Sequence, residues 1–359
     1  AEAMFVERGQ LARSDFAITA ENLPHVRQIC QLVDGLPLGI ALAAAWLRRR
    51  SLAQIIEAIT RSLDFLSTGL RDVDPRHRSM RAVFETSWQL LSEPEQAVLA
   101  ALSVFPASFS AQAAAVVVGA ALVELDQLCE KSLLQQQPEA ERYTLHSLVR
   151  QFAAEKLASR RSEVDNSFID YFYGFACDKQ YEYAALQPEW GNFAAAIGKA
   201  HTQQCWQRVL DFVQVLNEPW FRQIRFAEMR AGLMFGLEAA RYLDNQAVLA
   251  HTLLRLGEIE MELNHYGTAE THLKEALGQF IRLEDGSNIA YVQYFMGRIK
   301  VEQSEDEQAI KLLQESKRIF AEERNWLGVA KNLNLLALSQ IKVYGDYQTA
   351  QRILEESIA

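Results

Sequence analysis

Cysteine is scarce in this chain: 359 residues contain only four, and none is paired with another at short spacing. They are Cys30, Cys129, Cys177 and Cys205. Such spacing indicates neither a disulfide framework nor a zinc site. We expect each thiol to pack as a small apolar group in a reducing compartment. His265 and His272 have no companions at metal-ligand spacing, and no Ser–His–Asp signature occurs.

Long apolar runs are also missing. The longest, at residues 111–123, is too short to cross a bilayer. The first residues do not combine a positive charge with an apolar stretch, so no signal peptide is indicated. The sequence therefore predicts a cytoplasmic location without membrane contact.

A phosphate-binding loop is absent as well. No Gly-x-x-x-x-Gly-Lys-Ser/Thr occurs, and Gly198-Lys199-Ala200 lacks both the leading glycine and the hydroxyl residue. The loop that cradles phosphates and the hydroxyl that binds magnesium are thus missing. We predict that these residues alone hydrolyse nothing and that the chain is not an enzyme.

Positive charge is short in the C-terminal part. The formal net charge is −10, and residues 162–359 carry 19 Lys and Arg against 28 Asp and Glu. This part should not attract nucleic-acid phosphates. An acidic helical surface is more often solvated than a binding site, because net charge constrains function only weakly.

The N-terminal region, residues 1–74, reads as helices only. Its most informative stretch is Gly35-Leu36-Pro37-Leu38, where one helix stops and an apolar helix begins at once. Glycine permits a left-handed turn, and proline suits the first turn of a helix. Such a tetrapeptide is commonly no more than a helix–helix corner. The polar stretch 68–75 is expected to close this region as a linker.

Residues 75–160 read as a winged helix. Helices are predicted at 80–91, 93–103, 111–119 and 122–131, a β-hairpin at 133–145, and a last helix at 147–157. In a helix-turn-helix the recognition helix precedes the wing, here 122–131. That helix carries Glu124, Asp126 and Glu130 against one Lys131. Its carboxylates would oppose binding to DNA, so we predict a packing role.

From about residue 165 the chain reads as helical to its end, beginning with a segment rich in aromatic residues that favours core packing. Beyond residue 227 a repeat of about 40 residues emerges. Small residues recur at Gly257, Gly297 and Ala337, and aromatic residues at Phe280 and Phe320. Such spacing is typical of stacked helical pairs. The fold class is therefore mainly α: a helical subdomain and a winged helix with one small hairpin, followed by an α-α superhelix. Its repeats resemble tetratricopeptide repeats.

Four motifs together resemble the STAND signal-transduction ATPases of the NB-ARC type, in particular bacterial regulators with C-terminal repeats. They stand in the family's order and are residues 35–38, 87–91 with 102–105, 128–134 with 143–152, and 189–196 with the repeats that follow. The resemblance divides the chain into a helical subdomain (1–74), a winged helix (75–160), a helical connector (161–226) and repeats (227–359) that are truncated.

In that family the P-loop core lies upstream of the helical subdomain. Because Ala1 is not an initiator methionine, we expect a fragment of a longer protein. The resemblance implies that Gly35, Leu36, Pro37 and His146 bind ADP or ATP, which would be shared with the absent core, and that Pro37 lies against the adenine. It also implies that His146 reaches the β-phosphate of ADP and holds the off state. The alternative is an ordinary buried histidine. The family often has an acidic residue next, but here it is Ser147.

The resemblance further implies a protein or small-molecule effector on the repeat arm, and self-association in the active state. Candidate contact residues on the concave face are Tyr294, Arg298, Trp326 and Asn332. Two other readings stay open. The chain could be a standalone scaffold that binds a protein without nucleotide, or it could belong to a transcription regulator with a separate DNA-binding domain.

Overall fold

The structure is a computed structural model that describes residues 1–67, 79–345 and 347–358. It divides the chain into two compact units. Unit 1 comprises Ala1–Gly174 with Gln187–Ala196, and unit 2 comprises Phe175–Leu186 with Ile197–Ala359. The predicted linker at 68–75 lies outside the described residues. The four-part division of the chain stays a prediction.

Unit 1 begins with four helices. They are α1 (Glu2–Ala12), α2 (Leu23–Leu32), α3 (Pro37–Ala45) and α4 (Leu52–Arg61). Apolar residues spaced three and four apart bury one face of each helix, for example Val26, Ile29 and Cys30 on α2. Ser51 begins α4 with a capping box, in which its side chain accepts from Gln54 N. This is the all-helical region that the sequence predicts.

The winged helix follows in the same unit. Its elements are α5 (Met80–Gln89), α6 (Glu93–Leu102), β1 (Phe109–Ser110), α7 (Ala111–Val118), α8 (Leu122–Glu130), β2 (Gln135–Gln137), β3 (Arg142–Thr144) and α9 (Ser147–Lys156). The predicted helices and hairpin are confirmed. The sheet also has a third strand, because β1 pairs antiparallel with β3 and gives the order β1-β3-β2. A two-residue strand is too short to show alternation in the sequence.

Aromatic side chains fill the core behind the sheet of unit 1. Phe105 stacks on Phe109 with ring centroids 4.3 Å apart, and Phe168 and Phe172 meet Phe105 edge to face. Phe193 closes the cluster against Phe172. The predicted core role of the aromatic segment is confirmed for Phe168 and Phe172, whereas Tyr181 is exposed.

Helices make up most of unit 2, and all but one of them are long. Two of them, α10 (Arg161–Lys179) and α12 (Trp190–Thr202), pass from one unit into the other. The remainder are α11 (Tyr183–Leu186), α13 (Trp206–Arg222), α14 (Phe226–Tyr242), α15 (Gln246–Glu262), α16 (Tyr266–Arg282), α17 (Gly286–Glu302), α18 (Asp306–Glu322), α19 (Trp326–Tyr344) and α20 (Tyr347–Ile358). The predicted superhelix of helical pairs is confirmed.

A left-handed residue follows each helix from α12 to α19, at intervals of 20 residues as far as Arg324. The series is Gln204, Ile224, Asp244, Asn264, Glu284, Ser304 and Arg324, followed by Gly345. A single residue with positive φ lets the chain reverse direction within a short turn. The series starts before residue 227, so the pair α13–α14 shares the geometry of the later pairs although its sequence matches them poorly.

Glycine allows the paired helices to approach each other closely. A Cβ on Gly257 would lie 2.5 Å from Leu273 Cγ, and one on Gly297 would lie 2.8 Å from Leu313 Cγ. Both distances are shorter than van der Waals contact, so only glycine fits. Ala269 and Ala309 are fully buried on the facing helices. The 40-residue period thus reports the contact between the two helices of each pair.

No single helix in the described residues is long and apolar enough to cross a membrane. The pair α7 and α8 reaches that length and apolarity only jointly, and it bends by 110°.

Candidate functional site

The first part of the site is the corner between α2 and α3. Asp34 and Gly35 both have positive φ, of 47° and 72°, and Gly35 N donates to Cys30 O at 2.8 Å. This is the arrangement by which a left-handed residue closes a helix. Pro37 then opens α3, as its fixed φ favours. The sequence prediction of a tight corner at Gly35-Leu36-Pro37 agrees with this backbone. Gly35 and Pro37 are exposed, and Leu36 is half-buried.

The second part is the start of α9, directly after the wing. His146 precedes the first helical residue, and its side chain is only 11% exposed. No acidic residue lies in the first turn of α9, and His146 makes no side-chain cap. The N-terminus of this helix therefore has free N–H groups and partial positive charge that its own sequence leaves uncompensated.

Asp34 brings the two parts together across 113 residues of sequence. Its Oδ2 accepts from Ser147 N at 2.7 Å and lies 2.9 Å from Ser147 Oγ. The same oxygen lies 2.9 Å from His146 Nδ1, but that contact lacks the direction of a hydrogen bond. A carboxylate at a helix N-terminus is a favourable, charge-assisted contact.

His146 has two buried ring nitrogens, and neither has a hydrogen-bond partner among the described residues. Buried polar atoms are normally paired, so an unpaired donor is informative. Burial lowers the pKa of His146, the Asp34 carboxylate opposes that shift, and Arg150 adds to it. The ring therefore has no hydrogen-bond partner among the described residues, and its lowered pKa favours the neutral form.

Arg150 lies one turn further along α9 and donates from Nη1 to Pro106 O at 2.7 Å. Burial lowers its pKa, and Asp34 opposes that shift. Neither Asp34 nor Arg150 is among the site residues predicted from the sequence. Two signals could have found them: Asp34 immediately precedes the Gly-Leu-Pro corner, and Arg150 follows His146 at the i,i+4 spacing that puts both on one helix face.

The four candidate contact residues on the repeat arm differ in their surroundings. Tyr294 is half-buried on α17, and burial raises its pKa. Arg298, also on α17, donates from Nη1 to Glu262 Oε1 on α15 at 2.8 Å. Trp326 is 66% exposed at the start of α19.

Asn332 requires a correction, because it does not lie on the surface. Its side chain is 0% exposed and donates to Ser316 Oγ at 3.1 Å and to Gly328 O at 2.8 Å. Asn332 therefore joins α19 to α18 inside the arm. The preceding residue on α19, Lys331, is exposed, so a rotation of the helix by one residue separates the surface from the interior. Sequence spacing alone did not resolve that rotation.

The described residues contain no group of three or more His, Cys, Asp or Glu side chains placed to hold a metal ion. All four cysteines are free thiols. Burial raises the pKa of Cys30 and of Cys129, which suits packing rather than reactivity. The prediction that the chain is not an enzyme stays a prediction.

Comparison with known sequences finds relatives among mycobacteria. No protein-family model matches the chain. A protein of Mycobacterium tuberculosis named "Putative HTH-type transcriptional regulator" is 29% identical over 248 residues, which cover 64% of this chain and 28% of the relative. A second, named "Uncharacterized protein", is 33% identical over 179 residues, or 47% of this chain and 45% of the relative. The chain thus spans just over a quarter of the length of the first relative.

Among solved structures, a Signal Transduction ATPase with Numerous Domains (STAND) protein with a tetratricopeptide repeat sensor, from Pyrococcus horikoshii, is similar to 98% of this chain. The match covers 65% of that protein, with 14% identity and a TM-score of 0.38. At this score the two structures do not establish a common fold.

Proposed function

We propose that this chain is the regulatory and sensor portion of a STAND-type, nucleotide-dependent signalling switch. ADP would stabilise its off state, bound between an upstream core and the surface formed by Pro37 and His146. An effector or protein partner on the repeat arm would shift the equilibrium towards the active state. A ligand can do so only if it binds the two states with different affinity.

The observation that carries this proposal is the meeting of two distant motifs. The Gly35-Leu36-Pro37 corner and His146 lie at one place in unit 1, joined through Asp34. Chain packing alone would account for the contact, but it does not account for the buried Nε2 of His146, which has no hydrogen-bond partner among the described residues. An imidazole N–H that donates from this nitrogen to a phosphate oxygen would satisfy it.

The chain's own residues fit a bound nucleotide. The exposed ring of Pro37 offers an apolar surface that an adenine could cover. His146 can donate one N–H when neutral and two when protonated. A phosphate would favour the protonated ring, because a nearby negative charge raises the pKa of histidine. Bound ADP would contribute negative charge and phosphate acceptors to this corner.

We propose that the effector or partner of the repeat arm binds to the layer formed by every second helix. The helices α15, α17 and α19 contact each other across neighbouring pairs, which makes theirs the inner layer of the superhelix. Tyr294 and Arg298 lie in this layer, and Trp326 lies at its edge. Because Glu262 pairs with Arg298, a ligand here would meet these two charges as an ion pair. Extended repeat surfaces of this kind bind proteins in many families.

For the output we propose control of transcription by a DNA-binding part other than the winged helix of this chain. The name of the longer mycobacterial relatives supports that role. The helix before the wing, α8, keeps Glu124, Asp126 and Glu130 beside Lys131. Carboxylates at that place oppose contact with phosphates, so DNA recognition would belong to another segment.

Nucleotide retention tests the proposal. The complete gene product that contains this chain is purified without added nucleotide, denatured, and analysed chromatographically for released ADP and ATP. We expect ADP in near-equal amount to the protein. The substitution His146→Ala should lower the retained ADP about tenfold, as loss of a charge-assisted hydrogen bond to phosphate would.

The matched control is His25→Ala, which removes an exposed histidine of α2 in the same unit. It should leave the retained nucleotide unchanged. Absence of ADP from the parent protein would contradict the switch and favour the standalone repeat scaffold. Retention of ADP that His146→Ala does not alter would instead reject the role of His146 and leave an ordinary buried histidine.

A further inference from the structure

Two helix ends in unit 1 lie close together, namely the C-terminus of α2 and the N-terminus of α9. The N-terminus of α9 has no acidic residue in its first turn and no side-chain cap. The C-terminus of α2 is closed by its own backbone, because Asp34 N donates to Gln31 O at 2.9 Å and Gly35 N donates to Cys30 O at 2.8 Å. The N–H groups at the start of α9 therefore need partners from elsewhere.

The segment after α2 caps the start of α9, and the first residue of α9 bonds back to the end of α2. Asp34, just after α2, accepts from Ser147 N of α9 at 2.7 Å. In return Ser147 Oγ lies 2.8 Å from Leu32 O, at the end of α2, and 2.9 Å from Asp34 Oδ2. The hydroxyl has one proton and shares it between these two acceptors. Charge complements the exchange, since the carboxylate faces the positive end of α9.

We propose that this reciprocal contact is a latch that holds the α2–α3 corner against the winged helix, and that the first turn of α9 is stable only while the latch is closed. The device needs no nucleotide, because every group in it belongs to this chain. It joins the two parts of unit 1 that carry Pro37 and His146. Opening it would therefore separate the two candidate nucleotide contacts and loosen the start of α9 in one step.

A second polar connection links the same two parts elsewhere. Arg81 of α5 donates from Nη1 to Glu155 Oε2 at 2.7 Å and also pairs with Asp64. This connection lies near the C-terminal end of α9. Loss of the latch should therefore speed hydrogen exchange at the N-terminal end of α9, whereas Arg81 keeps the C-terminal end in place. The opening is local for that reason.

Hydrogen exchange tests the latch on the chain as it stands, without nucleotide. Asp34→Gly removes the carboxylate and keeps a residue suited to positive φ at this position. We expect amides in two separate peptides, residues 30–37 and residues 146–150, to exchange about tenfold faster together. Ser147→Ala should give the same paired response with a smaller change, because the backbone donor to Asp34 remains.

The matched control is Asp244→Gly, the same substitution at a left-handed residue (φ 50°) at the end of α14 in unit 2. It should leave exchange in both peptides of unit 1 unchanged. If Asp34→Gly speeds exchange at residues 30–37 and leaves residues 146–150 as they were, the latch is rejected. If that variant does not fold, an unchanged pattern in Ser147→Ala rejects it equally. Neither result bears on nucleotide retention, so this inference and the proposed function fail separately.

Discussion

At the scale of single residues, buried charge is the feature that most constrains this protein. Glu95 on α6 is 5% exposed, and it pairs with Lys131 at 2.5 Å and accepts from Ser92 N at 2.7 Å. The Lys131 ammonium and the Ser92 groups lower the pKa of this carboxyl to about 2. Glu95 both caps α6 and ties it to the end of α8, so one side chain fixes two helices of the winged helix.

The substitution Glu95→Gln should destabilise unit 1 by about 2 kcal/mol at pH 7, since it removes a charge-assisted hydrogen bond from a buried site. Because the folded pKa lies below the ordinary value of 4.5, the stabilisation is complete above pH 4.5 and is lost as the pH falls towards 2. Denaturant unfolding at several pH values measures it. The neighbouring Glu93→Gln, at an exposed position, should change little. An equal loss at pH 7 and at a pH of about 2 would contradict this account.

A buried carboxylate also organises the repeat arm. Glu260 on α15 accepts from Arg230 Nε at 2.5 Å and lies 2.8 Å from His265 Nδ1. Burial alone would raise the pKa of Glu260, but the hydrogen bonds from His265 and Arg230 lower it. His265 is a partner of this carboxylate at the turn after α15, and its side chain is still 56% exposed.

At the scale of elements, the arm depends on which glycines face a neighbouring helix. Gly257 meets Leu273 across the α15–α16 contact, whereas a methyl group added to Gly278 on α16 would meet no atom within 4 Å. Both are helical glycines, so both lower helix propensity by the same amount relative to alanine. Their different surroundings separate the packing effect from the backbone effect.

We expect Gly257→Ala to destabilise unit 2 by about 1–3 kcal/mol, because the added methyl group overlaps Leu273. Gly278→Ala should stabilise it by about 0.5–1 kcal/mol, through the reduced entropy of the unfolded chain. Thermal unfolding of both variants and of the parent protein measures the direction of each change in stability. Stabilisation by Gly257→Ala would show that the helices of this pair do not approach as closely as the structure has them.

At the scale of the whole molecule, the division into two units has a thermodynamic consequence. Each unit has its own buried core, with Phe105 and Phe172 in unit 1 and Phe280 and Phe320 in unit 2. Units that each have a buried core of their own can open separately. The backbone passes from one unit to the other within α10, after α11 and within α12.

Native-state hydrogen exchange should therefore show that each of the two destabilising substitutions speeds exchange only in its own unit. Glu95→Gln should accelerate exchange in the core helices of unit 1, and Gly257→Ala in those of unit 2, each by about tenfold or more. Amides of the other unit should keep their rates and serve as the internal control. Equal acceleration across both units for either variant would mean that the chain unfolds as one cooperative body.

The sequence by itself determined the class of fold, because its signals are local. Helical spacing, the Gly-Leu-Pro corner, the capping residues and the 40-residue period of small residues all act within one helix or between consecutive helices. The structure extends that period to α13–α14, where the turns keep a positive φ although the side chains do not follow the repeat pattern.

Only the tertiary structure decided which residues meet. The contact between Asp34 and Ser147 spans 113 residues, and nothing in local spacing indicates it. The same holds for Asn332, whose burial depends on the rotation of α19 against α18. Helix propensity and periodicity set each element's type and apolar face, whereas the pairing of polar groups across elements depends on how the finished faces pack. The sequence thus determined where Pro37 and His146 lie along the chain, and packing decided that Asp34 joins them.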